Sequence, residues 1–333
     1  MATSHQETLR GQRREIIVFM DKNRRALSAL LVFVVLMLIF TLLNPKIFLN
    51  PVIYRSIFRA LPPGLIMAIP LVFVIVAGEI DLSFGSVVGL GAWAFAATVK
   101  AGWNPFLSVV VAVVVGACAG VLNGLIVTRI GLSSLVATLG MGFFFRGVIF
   151  VGTQGNGISL AHLRGTPIYN TFVSSIGIFP ASMIWAILFV VIGLILFNSH
   201  KFGAQICCVG DNLQSALEMG INATIVKTLA FVYVGITAGI VGVIVTMTNQ
   251  AFYPGSGDGL IMIVLASVFV GGTPTWGGIG TVAGAVFGAC TVGVIQTGIL
   301  AAGVSHLWTR FFYGLVIILS LLGHKLSEPR YRF

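Results

Sequence analysis

In the stretch A-G-E-I-D-L-S-F-G-S, Ala77 to Ser86, two carboxylates interrupt a chain that has very few of them. Glu79 and Asp81 belong to a total of nine acidic residues, and they lie between the apolar run Leu65 to Ala77 and another that follows. An ionisable group among apolar spans is costly, so such a pair is a candidate proton or ion site, as in an ion-coupled secondary transporter. The same residues also suit a structural task. Asp81 or Ser83 can cap the next helix, whose free amides and positive dipole favour an acidic or hydroxyl side chain. Because the pair falls at the end of a span, capping is favoured, and Gly78, Glu79, Asp81, Ser83 and Gly85 are read as a helix-break motif.

Other chemistry is sparse. The histidines at 5, 162, 200, 306 and 324 are scattered and pair with no Ser, Cys or carboxylate at a catalytic spacing, so no catalytic residue is assigned and an enzyme is not expected. Cys118, Cys290 and the adjacent Cys207 and Cys208 form neither a disulfide framework nor a metal-ligand spacing. No G-x-x-x-x-G-K-[ST] loop occurs, so the chain by itself is not expected to bind ATP or another cofactor. The 41 glycines lie within or between apolar runs, where small residues let helices approach closely.

The elements that must position these residues are membrane helices. Of 333 residues 57% are hydrophobic and 8% charged, with a mean hydropathy of +1.05. A soluble domain needs more charge to cover its surface, so the chain reads as an all-α, polytopic membrane protein. The net charge of +10 does not indicate nucleic acid, because the basic residues are neither clustered on one face nor interleaved with aromatics.

About ten spans are expected, at 26–43, 53–77, 84–100, 106–128, 134–152, 180–197, 226–248, 259–272, 279–300 and 308–323, with the eighth short. They form one transmembrane domain, 26–323, between an N-terminal arm, 1–25, and a tail, 324–333. Six of the nineteen Lys and Arg residues lie in the arm, which places it in the cytoplasm. An even number of crossings returns the tail there, and twelve of the nineteen then fall on that side. Loop 198–225 is inside and loop 153–179 outside.

Phe84 to Gly89, F-G-S-V-V-G, resembles Ile279 to Gly284, I-G-T-V-A-G, and each follows a glycine-containing polar break. Paired interrupted segments mark the pathway in many transporters, although small residues recur in any packed membrane helix. Within the inner loop, Asp211 or Asn212 can begin a short surface helix that Gly220 ends. Leu213, Ala216, Leu217 and Met219 form its apolar stripe, which could lie on the membrane or dock into a partner.

The stretches G-E-I-D-L-S-F-G-S (78–86), L-N-G-L-I-V-T (122–128), A-T-L-G-M followed by R-G (137–141 and 146–147), V-G-D-N-L-Q-S-A-L-E-M-G-I-N (209–222) and V-F-V-G-G-T-P-T-W-G-G-I-G-T-V-A-G (268–284) resemble, in order, the permease subunits of bacterial ABC importers of the ribose, xylose, arabinose and galactose type. The resemblance implies a type II importer fold in the bacterial inner membrane and ATP-driven import of a monosaccharide or related polar molecule. Two permease copies, identical or not, would line the pathway. Cytoplasmic ATPase subunits would carry ATP and Mg, and a periplasmic protein would deliver the solute.

By the same likeness, Asp211, Asn212, Leu213, Ala216, Leu217, Met219 and Gly220 form the coupling helix, and the stripe faces the ATPase. Candidate pathway residues are polar groups in apolar spans, Asn123, Thr138, Asn249 and Gln250, with Phe143 to Phe145 as stacking or gating surfaces. Arg146 is expected either to pair with a helix carboxyl end or to face the pathway. The chain departs from the resembled pattern at Glu79, where glycine is usual, at Trp276, and in P-G-S-G-D-G-L-I-M-I (254–263), which lacks an expected glutamate.

Overall fold

A computed structural model describes residues 23–301, 303, 305 and 307–327. Most of the basic arm and the end of the tail, on which the expected sidedness rests, lie outside them. In chain order the helices are α1 (Arg24–Leu43), α2 (Pro45–Phe48), α3 (Pro51–Val76), α4 (Phe84–Lys100), α5 (Pro105–Leu125), α6 (Ser134–Thr153), α7 (Pro167–Phe172), α8 (Ala181–Asn198), α9 (Lys201–Asp211), α10 (Leu213–Glu218), α11 (Ala223–Asn249), α12 (Leu260–Val270), α13 (Val282–Ala301) and α14 (Trp308–Ser327). Seven are long and apolar enough to cross a membrane: α1, α3, α5 with its π-helical extension to Ile130, α6, α8, α11 and α13. The other three expected spans correspond to α4, α12 and the apolar part of α14, 308–323, which are shorter than the other seven.

Local sequence sets several starts. Asn-Pro opens both α3 and α5: the proline occupies a position whose N–H has no helical partner, and the Asn50 and Asn104 side chains accept from the amides of Val52 and Phe106. The all-α expectation needs one addition outside the helices. Strand β1 (Ile158–Ser159) pairs antiparallel with β4 (Ala251–Phe252), and β2 (Ser175–Ile176) with β3 (Phe179–Pro180). The first ribbon ties loop 153–179 to the end of α11.

The core lies around α3, whose residues Leu65 to Val76 are buried on every side. A helix apolar all round belongs at the centre of a bundle, and α3 packs against α8, α11, α12 and α13. The backbones of α5 and α11 meet at Gly116, Gly120, Gly235 and Gly239, where no Cβ would fit. α12 and α13 meet in the same way at Gly271, Gly284 and Gly288. Between membrane helices, where lipid is as apolar as leucine, such close approach supplies the packing that burial cannot.

Candidate functional site

The break after α3 is an extended strand of chain laid along α6. The amide of Ile80 donates to Ser134 Oγ at 3.0 Å and that of Leu82 to Thr138 Oγ1 at 3.0 Å. Ser83 crosses over Gly142, and the Gly85 carbonyl accepts from Arg146 at 3.4 Å. Positions 134, 138, 142 and 146 succeed one another by one helical turn, so the contacts climb about 18 Å of α6 at 1.5 Å per residue. The motif follows directly on the end of α3, and the chain runs along α6 before α4 begins. Non-helical backbone among spans needs partners from protein, and the hydroxyls of α6 provide them.

Asp81 is buried, and its Oδ1 accepts from both the amide and the hydroxyl of Ser83 at 2.7 Å. Ser83 occupies the cap position of α4 but makes no cap bond itself, so of the two expected caps it is Asp81 that takes an amide. The Ser83 hydroxyl accepts in turn from Asn123 Nδ2 at 2.6 Å. Asn123 and Thr138, read as pathway candidates, are thus buried and bonded to the break. Asn249 and Gln250 lie elsewhere, at the end of α11, where the Gln250 carbonyl accepts from Leu160. Phe143 points outward from α6 and is 74% exposed. Asn123, Thr138, Asn249, Gln250 and Phe143 thus lie at three places: at the break, at the end of α11 and on the outer face of α6.

Arg146 joins a second irregular segment, 253–259, to the first. Its guanidinium donates to the carbonyls of Pro254 at 2.5 Å and Ser256 at 3.1 Å, and it pairs with the Asp258 carboxylate. Gly257 lies so close to the Gly85 carbonyl that a side chain there would clash. The starts of α4 and α12 therefore meet at one arginine. Arg146 thus meets backbone carbonyls at a helix start and an acid, Asp258, that the expected helix end or pathway did not include, although an acid beside a span is a signal in the sequence.

The loop 198–225 is more ordered than expected. α9 precedes the predicted short helix, with the His200 ring accepting from the Phe202 amide and Gly203, Ile206 and Val209 buried at intervals of three. Asp211 is therefore the last residue of α9, and Asn212 alone caps α10, accepting from the Ser215 amide at 3.0 Å. Gly220 ends it at φ +78°, a conformation that favours glycine. One stripe residue is corrected: Ala216 is fully buried within the chain, because on so short a helix it faces α9 and α11. Leu213, Leu217 and Met219 stay exposed. Burial, with Cys208 and Asp211 nearby, raises the Cys207 thiol above its ordinary range.

Two distant stretches close on this loop. The Gly278 amide donates to the Val76 carbonyl at 2.8 Å, Gly210 sits on that same carbonyl with no room for a Cβ, and Gly277 packs on Gly78. The stretches 78–86, 209–222 and 268–284 are thus one contact in space. Both halves of the six-residue match, Phe84 to Gly89 and Ile279 to Gly284, also lie where a helix opens after a break. Beside this contact is a cavity of about 280 Å³ lined by Glu79, Val127, Thr128, Leu213, Leu217 and Lys227, among others. Lys227 Nζ donates to Glu79 Oε1 at 2.5 Å, and both side chains are largely buried.

Residues 53–321 match the model of a family described as "Branched-chain amino acid transport system / permease component". The chain is 30% identical over 306 residues to a ribose import permease protein of Bacillus subtilis, covering 92% of this chain and 94% of that one. It is 31% identical over 303 residues to an autoinducer 2 import system permease protein of Yersinia enterocolitica, covering 90% and 82%. An inner membrane ABC transporter permease protein of Escherichia coli is 32% identical over 262 residues, covering 76% and 78%. No solved structure matches.

Proposed function

The chain belongs to this permease family, and from that premise we propose that it is the membrane subunit of an ATP-driven importer for a monosaccharide or a related polar solute. The observation that carries the reading is the form of α10: a capped helix beside the break that turns Leu213, Leu217 and Met219 outward. In a chain with no phosphate-binding loop, such a face suits a cytoplasmic ATPase that brings its own ATP and Mg. Ten crossings with both termini in the cytoplasm, a second permease copy, a periplasmic binding protein and a place in the bacterial inner membrane complete the proposal. The family description names branched-chain amino acids, whereas a relative matched over nine-tenths of both chains is named for ribose, and this supports a sugar-like solute.

On this reading, closure of the ATPases presses on α10. The contact of Gly210 and Gly278 with Val76 passes the push to the ends of α3, α9 and the 271–281 segment, and the pathway opens alternately to each side. The alternative, ion coupling through Glu79 and Asp81, is not favoured. Asp81 is bonded to Ser83 and Glu79 to Lys227, so both carboxylates already have partners.

The test is uptake of radiolabelled D-ribose, D-xylose and D-galactose by proteoliposomes holding the permease, its neighbouring ATPase and binding protein. Uptake of at least one sugar that stops without ATP is expected. Uptake that persists in the absence of the ATPase would overturn the reading.

A further inference from the structure

We propose that Glu79 and Lys227 are a positioning pair that makes the break before α4 follow the movement of α10. The inference rests on the permease reading above and adds to it a role for a residue that the resembled pattern does not contain.

Lys227 lies in the second turn of α11, and only Met219 to Asn222 separate α10 from that helix. A push on α10 therefore reaches α11 through a four-residue link, stiffened where Asn222 caps α11 by accepting from Ile225 at 3.1 Å. Glu79 stands at the foot of the extended segment. From there the hydrogen bonds of Ile80, Leu82 and Ser83 run to α5 and α6, and the contacts end at Arg146. The ion pair adds a tie from this segment to α11.

Two features make that tie effective. Its side chains are only 14% and 16% exposed, so water competes weakly and separation would leave a charge largely buried without its counterion. The pair also lines the same cavity as Leu213 and Leu217, so inward movement of α10 closes that space onto the pair itself. A glycine at position 79 would leave the Lys227 ammonium facing the cavity without this carboxylate.

The experiment uses the permease assembled with its ATPase in lipid nanodiscs, comparing the parent with Glu79→Gln, Lys227→Met and the exchange Glu79→Lys/Lys227→Glu. Hydrogen exchange of the amides from 78 to 85 is followed with and without ATP and vanadate, alongside ATP hydrolysis and the amount of complex. The parent is expected to change its exchange in this segment on trapping. Each single variant should lose most of that change while still hydrolysing ATP, and the exchange variant should regain it.

A single variant that responds like the parent overturns the proposal, as does a parent whose segment ignores trapping. Where a single variant does not assemble, the exchange variant decides: a restored response supports the pair, and its absence overturns it. Failure of the parent chain to bind any ATPase strikes the permease reading instead, and is seen separately as missing complex.

Discussion

The break from Gly78 to Gly85 and the helix α10 are both polar interruptions in an apolar chain, yet they treat their side chains in opposite ways. The break turns its polar groups inward: Asp81, Ser83, Asn123 and Thr138 are buried and bonded to one another or to its backbone. α10 caps its own amides locally with Asn212 and leaves three large apolar side chains outside. The first draws its partners from within the chain, with only Asn123 Oδ1 and Arg146 Nε of the residues that bind it left buried and unpartnered, whereas the second has local order and an uncovered apolar face. This contrast teaches where to look for fastening and where for docking. Substitutions in the break should act on the fold, and those on α10 on association.

The severest test of this contrast is Arg146→Leu, which removes the partner of the Asp258 carboxylate and leaves the carbonyls of Pro254 and Ser256 without a donor. The Asp258 carboxylate is 59% exposed and adds little, but the two carbonyls belong to buried residues and each loses a charged donor at about 1–3 kcal/mol, so the thermal unfolding midpoint in detergent should fall furthest here. A midpoint equal to that of the parent would mean that the two irregular segments are held by something else. Thr138→Val keeps the shape and removes the hydroxyl that meets the Leu82 amide and the Ile80 carbonyl, at about 1–3 kcal/mol for the groups left unpaired. The same midpoint measures it, and the smaller fall would rank the ladder below the arginine.

Gly220→Ala forces a side chain into a left-handed residue, at about 1–2 kcal/mol, and should shift the end of α10. It tests both halves of the contrast, because a modest loss of stability is expected together with weaker recovery of the ATPase in affinity purification. The smallest effect on the fold belongs to Leu213→Ser/Leu217→Ser, within about 0.5 kcal/mol of the parent because both sites are exposed. The same variant should lose most of the co-purifying ATPase. A variant that is unstable yet still binds the ATPase would reverse the comparison.

Much of this was legible from the sequence where the cause is local. The apolar runs predicted α1, α3, α5, α6, α8, α11 and α13, because crossing a bilayer is a property summed along some twenty neighbouring residues. Asn212 and Gly220 marked α10 for the same reason, since caps act within one turn. α9 was not read, although Gly203, Ile206 and Val209 carried the spacing, because two glycines and two cysteines gave the stretch the look of a loop. Ala216 was placed on the outer stripe, and only the packing of α9 and α11 around it shows that it points inward.

For the break the division is sharper. The sequence by itself determined that Gly78 to Gly85 is a polar interruption with an acid able to cap the next helix, since residue type and spacing settle both. Only the tertiary structure decided that the segment runs along α6, that Asn123 and Thr138 serve it, and that Arg146 ends it. It also decided that Glu79 meets Lys227, 148 positions further on. The physical reason is that hydropathy and capping are read along the chain, whereas the partner of a buried polar group is chosen by which distant helices pack beside it.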